Sequence, residues 1–250
     1  MIINKNIIKK NEKIEKGKKI IKILQKNGFE AFLVGGAVRD FFLDIPFYDV
    51  DITTNAKVEE VKNIFECQLI ESNSIKFGSI KVFFENNLFE ITSYRKEGPY
   101  LNYRYPSYVI FISDIKKDIL RRDFTINGLL MNEKSELIDF IGGYHDLIEK
   151  KIQTIGDPYV KLTEDVVRMI RIFYLQAKLN FEIEFNTKRI LKENIYLLKK
   201  IHNNRMIKEL KKVFSQKYLE KTFISLKETN AIFFLKKFSN YFPILLENFN

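Results

Sequence analysis

The hydrophobic pattern changes period along the chain, and each change marks an element. Residues 5–27 place Ile7, Ile8, Ile14, Ile20, Ile21, Ile23 and Leu24 near helical spacing and stop at Asn27-Gly28, which predicts an amphipathic helix. AFLVGG (31–36) then reads as a short strand running into a glycine turn, and AVRDFFL opens the next helix. VDIT (50–53), IKVFF (80–84) and LFEITSY (88–94) read as strands, with Glu85-Asn86-Asn87 as a hairpin turn. From Lys96 to Pro106, Gly98-Pro99 and several tyrosines predict a loop. Strand signals become sparse after residue 115, apart from LIDF at 137–140, and residues 160–250 read as successive helices. The expected organisation is α+β: a mixed α/β head over residues 1–150, then an all-helical part over 151–250.

Composition supports a globular chain. At 250 residues and 46% hydrophobic content there is enough apolar surface for a core. The longest apolar runs, such as AIFFL at 231–235, fall far short of the roughly 20 residues a membrane span needs. The N-terminus is lysine-rich without an apolar signal core, so a cytoplasmic protein with no membrane partner is expected. The single cysteine, Cys67, excludes an internal disulfide or a multi-cysteine zinc site and reads as a small core residue. His145 and His202 are far apart in sequence and receive no catalytic role.

The net charge of +10 is unevenly spread. Residues 1–26 carry nine Lys against two Glu, and residues 188–237 carry fourteen Lys or Arg against four Glu. The segment between them holds 19 basic and 25 acidic residues. Basic ends around an acidic centre suit a polyanion gripped by flanking helices while the centre binds metal. A Lys-, Ile- and Asn-rich composition accounts for the same lysines as solvated helix faces.

In LVGGAVRDFFLDIPFYDVDITT (33–54), Asp49 and Asp51 are two apart, so on an extended chain they share a face while Val50 and Ile52 turn to the core. Paired carboxylates repel unless a cation lies between them, and Mg2+ takes oxygen ligands and shares its shell with substrate phosphates. In LFEIT, Glu90 faces opposite to Phe89 and Ile91, so a neighbouring strand would bring it beside the pair. Asp-x-Asp alone is more often a solvated strand face. Gly35 and Gly36, between strand and helix, let backbone N–H groups approach a phosphate, and Arg39-Asp40 follows within one helical turn.

GGAVRD followed by DVDITT resembles the class II nucleotidyltransferases of the polymerase-β superfamily, the tRNA CCA-adding enzymes and related bacterial poly(A) polymerases. The resemblance continues in order through FEITSYRKEGPY (89–100), RRDFTING (121–128), LIDFIGGYHDLIEKKIQTIGDP (137–158), EDVVRMIRIFYLQAKLNF (164–181) and RMIKEL (205–210). It implies a nucleotidyltransferase head, then a helical neck and a truncated body. It also implies Asp49 and Asp51 as catalytic metal ligands, Glu90 as a third catalytic carboxylate, and Gly35, Gly36 and Arg39 at the nucleotide. Arg suits a triphosphate and Asp a ribose hydroxyl, and the resemblance implies those roles for Arg122 and Asp123, with Asn127 nearby.

Asp165 and Arg168, three apart on an expected helix with Arg171 a turn further, read either as an intrahelical ion pair or as an acceptor and donors offered to a base edge. The resemblance implies the latter, a protein template that selects CTP and ATP. Arg205 and Glu209 are implied to brace the template helix, and Asp139, Gly142, Gly143 and Asp146 match a hinge motif.

The implied reaction is CCA addition at the tRNA 3′ end with Mg2+. Poly(A) polymerase activity, partial CC- or A-addition and a non-catalytic RNA-binding protein are the alternatives. Leu101, Asn102, Tyr103, Arg104 and Tyr105 depart from the family's flexible-loop pattern, which bears on the terminal-A step. The short C-terminal part leaves a protein partner or an oligomer as the expected compensation for holding tRNA.

Overall fold

A computed structural model describes residues 2–3, 11–65, 69–70 and 75–247. Cys67 and residues 5–10 of the first expected helix lie outside the described residues. The chain divides into two units, residues 1–98 with 108–145 and residues 99–107 with 146–250.

The first unit is built on a mixed sheet. Strand β1 (Ile2–Ile3) precedes helix α1 (Glu12–Lys26), whose first turn is capped by Asn11 Oδ1 accepting from the N–H groups of Lys13 and Ile14 at 3.0 and 3.1 Å. The helix ends at Asn27, followed by Gly28 at φ 86°. Ile14, Ile20, Ile21 and Leu24 are fully buried, and Gly17 lets the helix press on the sheet: a Cβ there would stand 2.8 Å from Leu33 Cδ2.

There follow β2 (Ala31–Val34), α2 (Gly36–Leu43), β3 (Asp51–Thr54), α3 (Val58–Ile64), β4 (Leu69–Ile70), β5 (Ser79–Phe84) and β6 (Asn87–Ser93). The β5–β6 turn uses Glu85 and Asn86 with φ of 45° and 62°, the paired positive values a tight hairpin needs. Next come β7 (Arg95–Glu97), β8 (Tyr100–Leu101), β9 (Tyr105–Pro106), β10 (Val109–Phe111), α4 (Ile115–Leu120), β11 (Leu130–Met131), β12 (Leu137–Ile138) and α5 (Gly143–Ile148). The sheet order is β1-β12-β11-β2-β3-β6-β5-β4, antiparallel except for β3 with β6.

That parallel pair matters most, because its register sets Asp51 opposite Glu90. The stretch expected as a loop, 96–106, differs. Arg95–Glu97 pairs with Val109–Phe111 in the first unit, while Tyr100–Leu101 pairs with Tyr105–Pro106 in the second. Backbone pairing through polar and tyrosine residues left no hydrophobic alternation for sequence reading to detect.

The second unit is mainly helical: after β13 (Lys151–Ile152) come α6 (Pro158–Glu164), α7 (Val167–Leu179), β14 (Glu182–Ile183), α8 (Phe185–Asn194), α9 (Asn203–Phe214), α10 (Leu219–Glu228), α11 (Ala231–Leu235) and α12 (Ile244–Glu247). It is not purely helical, since β13 and β14 form a short parallel pair and the tyrosine hairpin a second, antiparallel one. Helix α7 is its centre, with Met169, Ile170, Ile172, Phe173 and Ala177 buried and α9 and α10 packed on it.

Candidate active site

In the first unit the carboxylates gather at the start of β3. The strand begins at Asp51, so Asp49 hangs from the irregular stretch before it rather than from the strand itself. The alternation survives: Val50 and Ile52 are buried, Asp51 is half-buried and Asp49 exposed. Across β6, Glu90 is the register partner of Asp51 and lies on the same face; its Oε1 accepts a hydrogen bond from Ser79 Oγ. Lys81 on β5 is in turn the register partner of Glu90.

This crowding acts on Asp51. Burial, then the charges of Glu90 and Asp49, push its carboxyl up from 3.8 to about 6, against the partial relief of Arg122 and Lys13. Lys13, on α1, donates to the Tyr48 carbonyl beside the pair and its ammonium lies 5.9 Å from the Phe89 ring centre.

Gly35 closes the same corner. Its φ of 81° demands glycine, and a Cβ there would sit 3.5 Å from Asp51 Oδ2. The turn therefore brings backbone beside the carboxylate and leaves the first N–H groups of α2 at the corner, where an anion is favoured.

Arg39 is held by internal partners beside the turn. It is 2% exposed; its Nε and Nη2 donate to Asp40 Oδ1 at 2.8 and 2.7 Å, and its Nη1 donates to Asn127 Oδ1. Asn127 Nδ2 donates onward to Asp123 Oδ1 at 3.1 Å, and Asp123 Oδ1 also accepts from the Phe124 N–H at 2.9 Å. Arg39 is thus an internal tie that fixes Asn127 and, through it, Asp123.

Arg122 approaches Asp51 more closely in its electrostatics. Burial lowers its guanidinium below the usual value, opposed by Asp118, and its Nε is buried without a partner. Asp118 is fully buried and central to this cluster. It accepts from Arg121 Nε at 2.8 Å, Arg122 Nη2 at 3.2 Å, the Arg95 N–H at 3.1 Å and Thr53 Oγ1 at 3.3 Å. Burial pushes its carboxyl up, but Arg121, Arg122 and these hydrogen bonds outweigh that and hold it below the ordinary carboxylate value. Sequence reading missed Asp118, Ser79 and Lys13; only the second arginine of RRD, needing a counter-ion when buried, hinted at the first.

The expected hinge motif forms a turn stapled by Asp139. Its carboxylate accepts from the N–H groups of Ile141, Gly142, Gly143 and Tyr144 at 2.9 to 3.2 Å. Gly142 has φ 81°, and a Cβ on Gly143 would lie 2.2 Å from the Thr125 carbonyl oxygen. Asp146 is buried in the second unit.

In the second unit, Asp165 does not sit within a helix as expected. It terminates α6 in extended conformation (φ −127°, ψ 98°), and its Oδ1 accepts from the Val167 N–H at 3.1 Å at the start of α7. Its Oδ2 is paired with Arg104 of the tyrosine hairpin. Arg168 is 5% exposed and donates to the Lys161 carbonyl at 2.8 Å, Glu164 Oε2 at 3.2 Å and the Tyr100 hydroxyl at 3.1 Å. The break between α6 and α7 brings Asp165 and Arg168 together, an acceptor and a fork of donors at one place, with Tyr100 and Arg104 laid over them. Arg171 is half-buried on α7. On α9, Arg205 pairs with the buried Glu209 at 2.7 Å, and α9 packs on α7.

These two arrangements can be set beside known proteins. The model of the poly(A) polymerase head domain matches residues 31–153, and that of the probable RNA- and SrmB-binding site of polymerase A matches residues 180–241. The CCA-adding enzyme of Staphylococcus epidermidis is 34% identical over 92% of this chain and 57% of its own length. The chain belongs to the family of CCA-adding enzymes and bacterial poly(A) polymerases. The CCA-adding enzyme of Bacillus licheniformis is 40% identical over 79% of this chain and 49% of its own length.

Among solved structures, the Bacillus stearothermophilus CCA-adding enzyme in complex with CTP matches with a TM-score of 0.81 at 31% identity, covering 89% of this chain and 53% of that one. The Thermotoga maritima CCA-adding enzyme complexed with tRNA matches at 0.73 and 27%, over 90% of this chain and 53% of that one. The chain thus spans about half the length of the relatives it matches. Among the described residues no helix is long and apolar enough to cross a membrane.

Proposed function

We propose that this chain transfers CMP and AMP from CTP and ATP to the 3′ end of tRNA, in the cytoplasm, releasing pyrophosphate. The observation that carries the reading is Asp51, crowded by Glu90 and Asp49 and pushed up to about 6 against the Gly35 turn. A centre that is costly in its ionised form without a counter-charge is what a divalent-cation site needs before loading.

No group of three Asp, Glu, His or Cys side chains stands ready as a metal centre among the described residues. Two carboxylates completed by phosphate oxygens are nevertheless the usual donor set for Mg2+, and Asp49 and Asp51 would hold it. Once bound, the ion supplies charge neutralisation at the reacting phosphate.

The chain's own residues do the rest. N–H groups after Gly35 and Gly36 receive phosphate oxygens, Arg122 contributes its guanidinium to the triphosphate, and Asp123, held by Asn127 and Arg39, orients the ribose. Asp165 and Arg168 offer an acceptor and donors to the base edge, with Arg171 in support and Arg205 and Glu209 bracing α7 from α9. The 3′-oxygen of the RNA bonds to the α-phosphorus as the bond to the bridging oxygen of pyrophosphate breaks. Positioning and electrostatics supply the acceleration.

Poly(A) addition is a second reading, favoured by the head-domain match itself. Both are tested by incubating the purified chain with Mg2+, single nucleoside triphosphates and tRNA transcripts lacking one, two or three 3′ nucleotides. Growth that stops at CCA is expected; a long A-tail on unrelated RNA, or no growth, overturns the reading.

A further inference from the structure

The second unit holds a cavity of about 390 Å³, two of whose lining residues, Tyr100 and Glu164, are also hydrogen-bond partners of Arg168. Its walls come from three places: the hairpin (Tyr100, Asn102, Tyr103), helix α6 (Tyr159) and the end of α8 with the turn after it (Asn194, Tyr196). Glu164 borders it, but Asp165 and Arg168 do not line it. The space is of ordinary small-ligand size.

The wall chemistry selects the occupant. Four tyrosine rings offer flat faces, and two amide side chains add polar edges, Asn102 with donor and acceptor and Asn194 with its Nδ2 already donating to the Ile190 carbonyl at 3.0 Å. The faces differ in availability. Tyr100 is engaged by Arg168, whose guanidinium lies 5.3 Å from the ring centre, and Lys200 lies 5.8 Å from that of Tyr103. Tyr159 and Tyr196 are 55% and 54% exposed, so their rings are open to a ligand.

No Lys or Arg lines the cavity, so its interior is not built for a phosphate. Exposed Lys200, whose ammonium lies 5.8 Å from the ring centre of Tyr103, places a cation at the rim. An aromatic, amide-edged interior with a cation outside it fits a base inside and its backbone phosphate outside, the arrangement by which proteins hold single-stranded nucleic acid. The segment carrying Asn194 and Tyr196 lies within the match to a polymerase RNA-binding region.

We infer that this tyrosine cavity is a stacking site for one unpaired base near the 3′ end of the RNA, adjoining, through Tyr100 and Glu164, the Asp165–Arg168 pair that reads the incoming nucleotide. The inference rests on the proposed transfer to an RNA 3′ end. It deepens that reading by placing a substrate nucleotide beside Glu164, on the residue next to Asp165.

The test uses the whole chain and short single-stranded RNA carrying 2-aminopurine at successive positions from the 3′ end. Tyr159→Ala and Tyr196→Ala are compared with Tyr159→Phe and Tyr196→Phe at one fixed salt concentration. Because both side chains are more than half exposed, none of these changes touches the core. Each Ala variant should weaken RNA binding by roughly 5- to 100-fold and restore 2-aminopurine fluorescence at one position only, while each Phe variant stays within about twofold of wild type. Binding of free CTP should be unchanged in all four.

Equal RNA affinity in the Ala and wild-type chains overturns the inference. So does equal loss in Phe and Ala, or loss of CTP binding with RNA binding intact, which makes the cavity a free-nucleotide site. The transfer reading is separated by assaying CMP addition in parallel. Addition with Tyr-independent RNA binding removes the cavity site alone, whereas Tyr-dependent binding without addition removes the transfer reading and leaves an RNA-binding cavity.

Discussion

Replacing Asp51 by Asn should make the metal-free protein more stable while abolishing transfer. In the folded chain the carboxyl of Asp51 titrates near 6 instead of 3.8, because burial and the charges of Glu90 and Asp49 disfavour the anion. A raised native value means that the native state holds the proton more tightly than the unfolded chain. Stability from this group is therefore greatest below about pH 4, declines as pH rises and is fully lost above about pH 6. A rise from 3.8 to about 6 corresponds to about 3 kcal/mol, an upper figure for what ionised Asp51 costs at neutral pH. Asn keeps the shape and cannot ionise.

Urea unfolding in EDTA across about pH 4 to 8 should show the Asn variant more stable at the alkaline end by up to about 3 kcal/mol, the gap closing toward pH 4. Mg2+ with CTP should narrow the gap by stabilising the wild type selectively. A variant no more stable at pH 8, or a gap independent of pH, would refute the claim that the carboxylates are crowded beyond what Arg122 and Lys13 relieve.

Other perturbations probe the supports. Asp118→Asn removes the buried counter-ion of Arg122 and leaves Arg121 only Glu97, and should cost about 3–5 kcal/mol in denaturant unfolding at neutral pH. Asp118 has a lowered native value, so the contribution it makes is present above about pH 4 and lost as pH falls through its folded value; a variant with an unaltered acid limb would contradict this. Gly143→Ala drives a methyl against the Thr125 carbonyl and should lower stability by at least about 1–3 kcal/mol, with an unchanged melting temperature as the failing result. Asp165→Asn and Arg168→Lys should degrade the choice among nucleoside triphosphates, read by single-nucleotide incorporation, more than divalent-cation affinity; unchanged selectivity would remove them from base selection.

Much of the first unit is legible in the sequence because its elements announce themselves locally. The Asn27-Gly28 stop, the Gly35 turn and the Glu85-Asn86 hairpin each combine a breaker with a flanking apolar pattern. Sequence cannot supply register. That Glu90 stands opposite Asp51 follows from a parallel pairing across a crossover of more than thirty residues, which period-2 alternation permits but does not dictate.

The second unit misled in a different way. Asp165 and Arg168 have helical spacing, yet the chain breaks at Asp165, where its carboxylate caps the following helix; three-residue spacing is shared by a helix face and a helix junction. Arg39 illustrates a third limit. A guanidinium beside a phosphate-type turn looks the same in sequence whether it faces a ligand or ties Asp40 to Asn127, and only burial separates the two.

The account turns on where a triphosphate and a divalent cation bind. Crystals of the chain grown with CTP and Mn2+, examined by anomalous scattering, measure this directly. The prediction is an anomalous peak shared by Asp49 and Asp51, with the CTP phosphates against the turn at Gly35 and Gly36. Manganese bound elsewhere, or phosphates away from that turn, would contradict it.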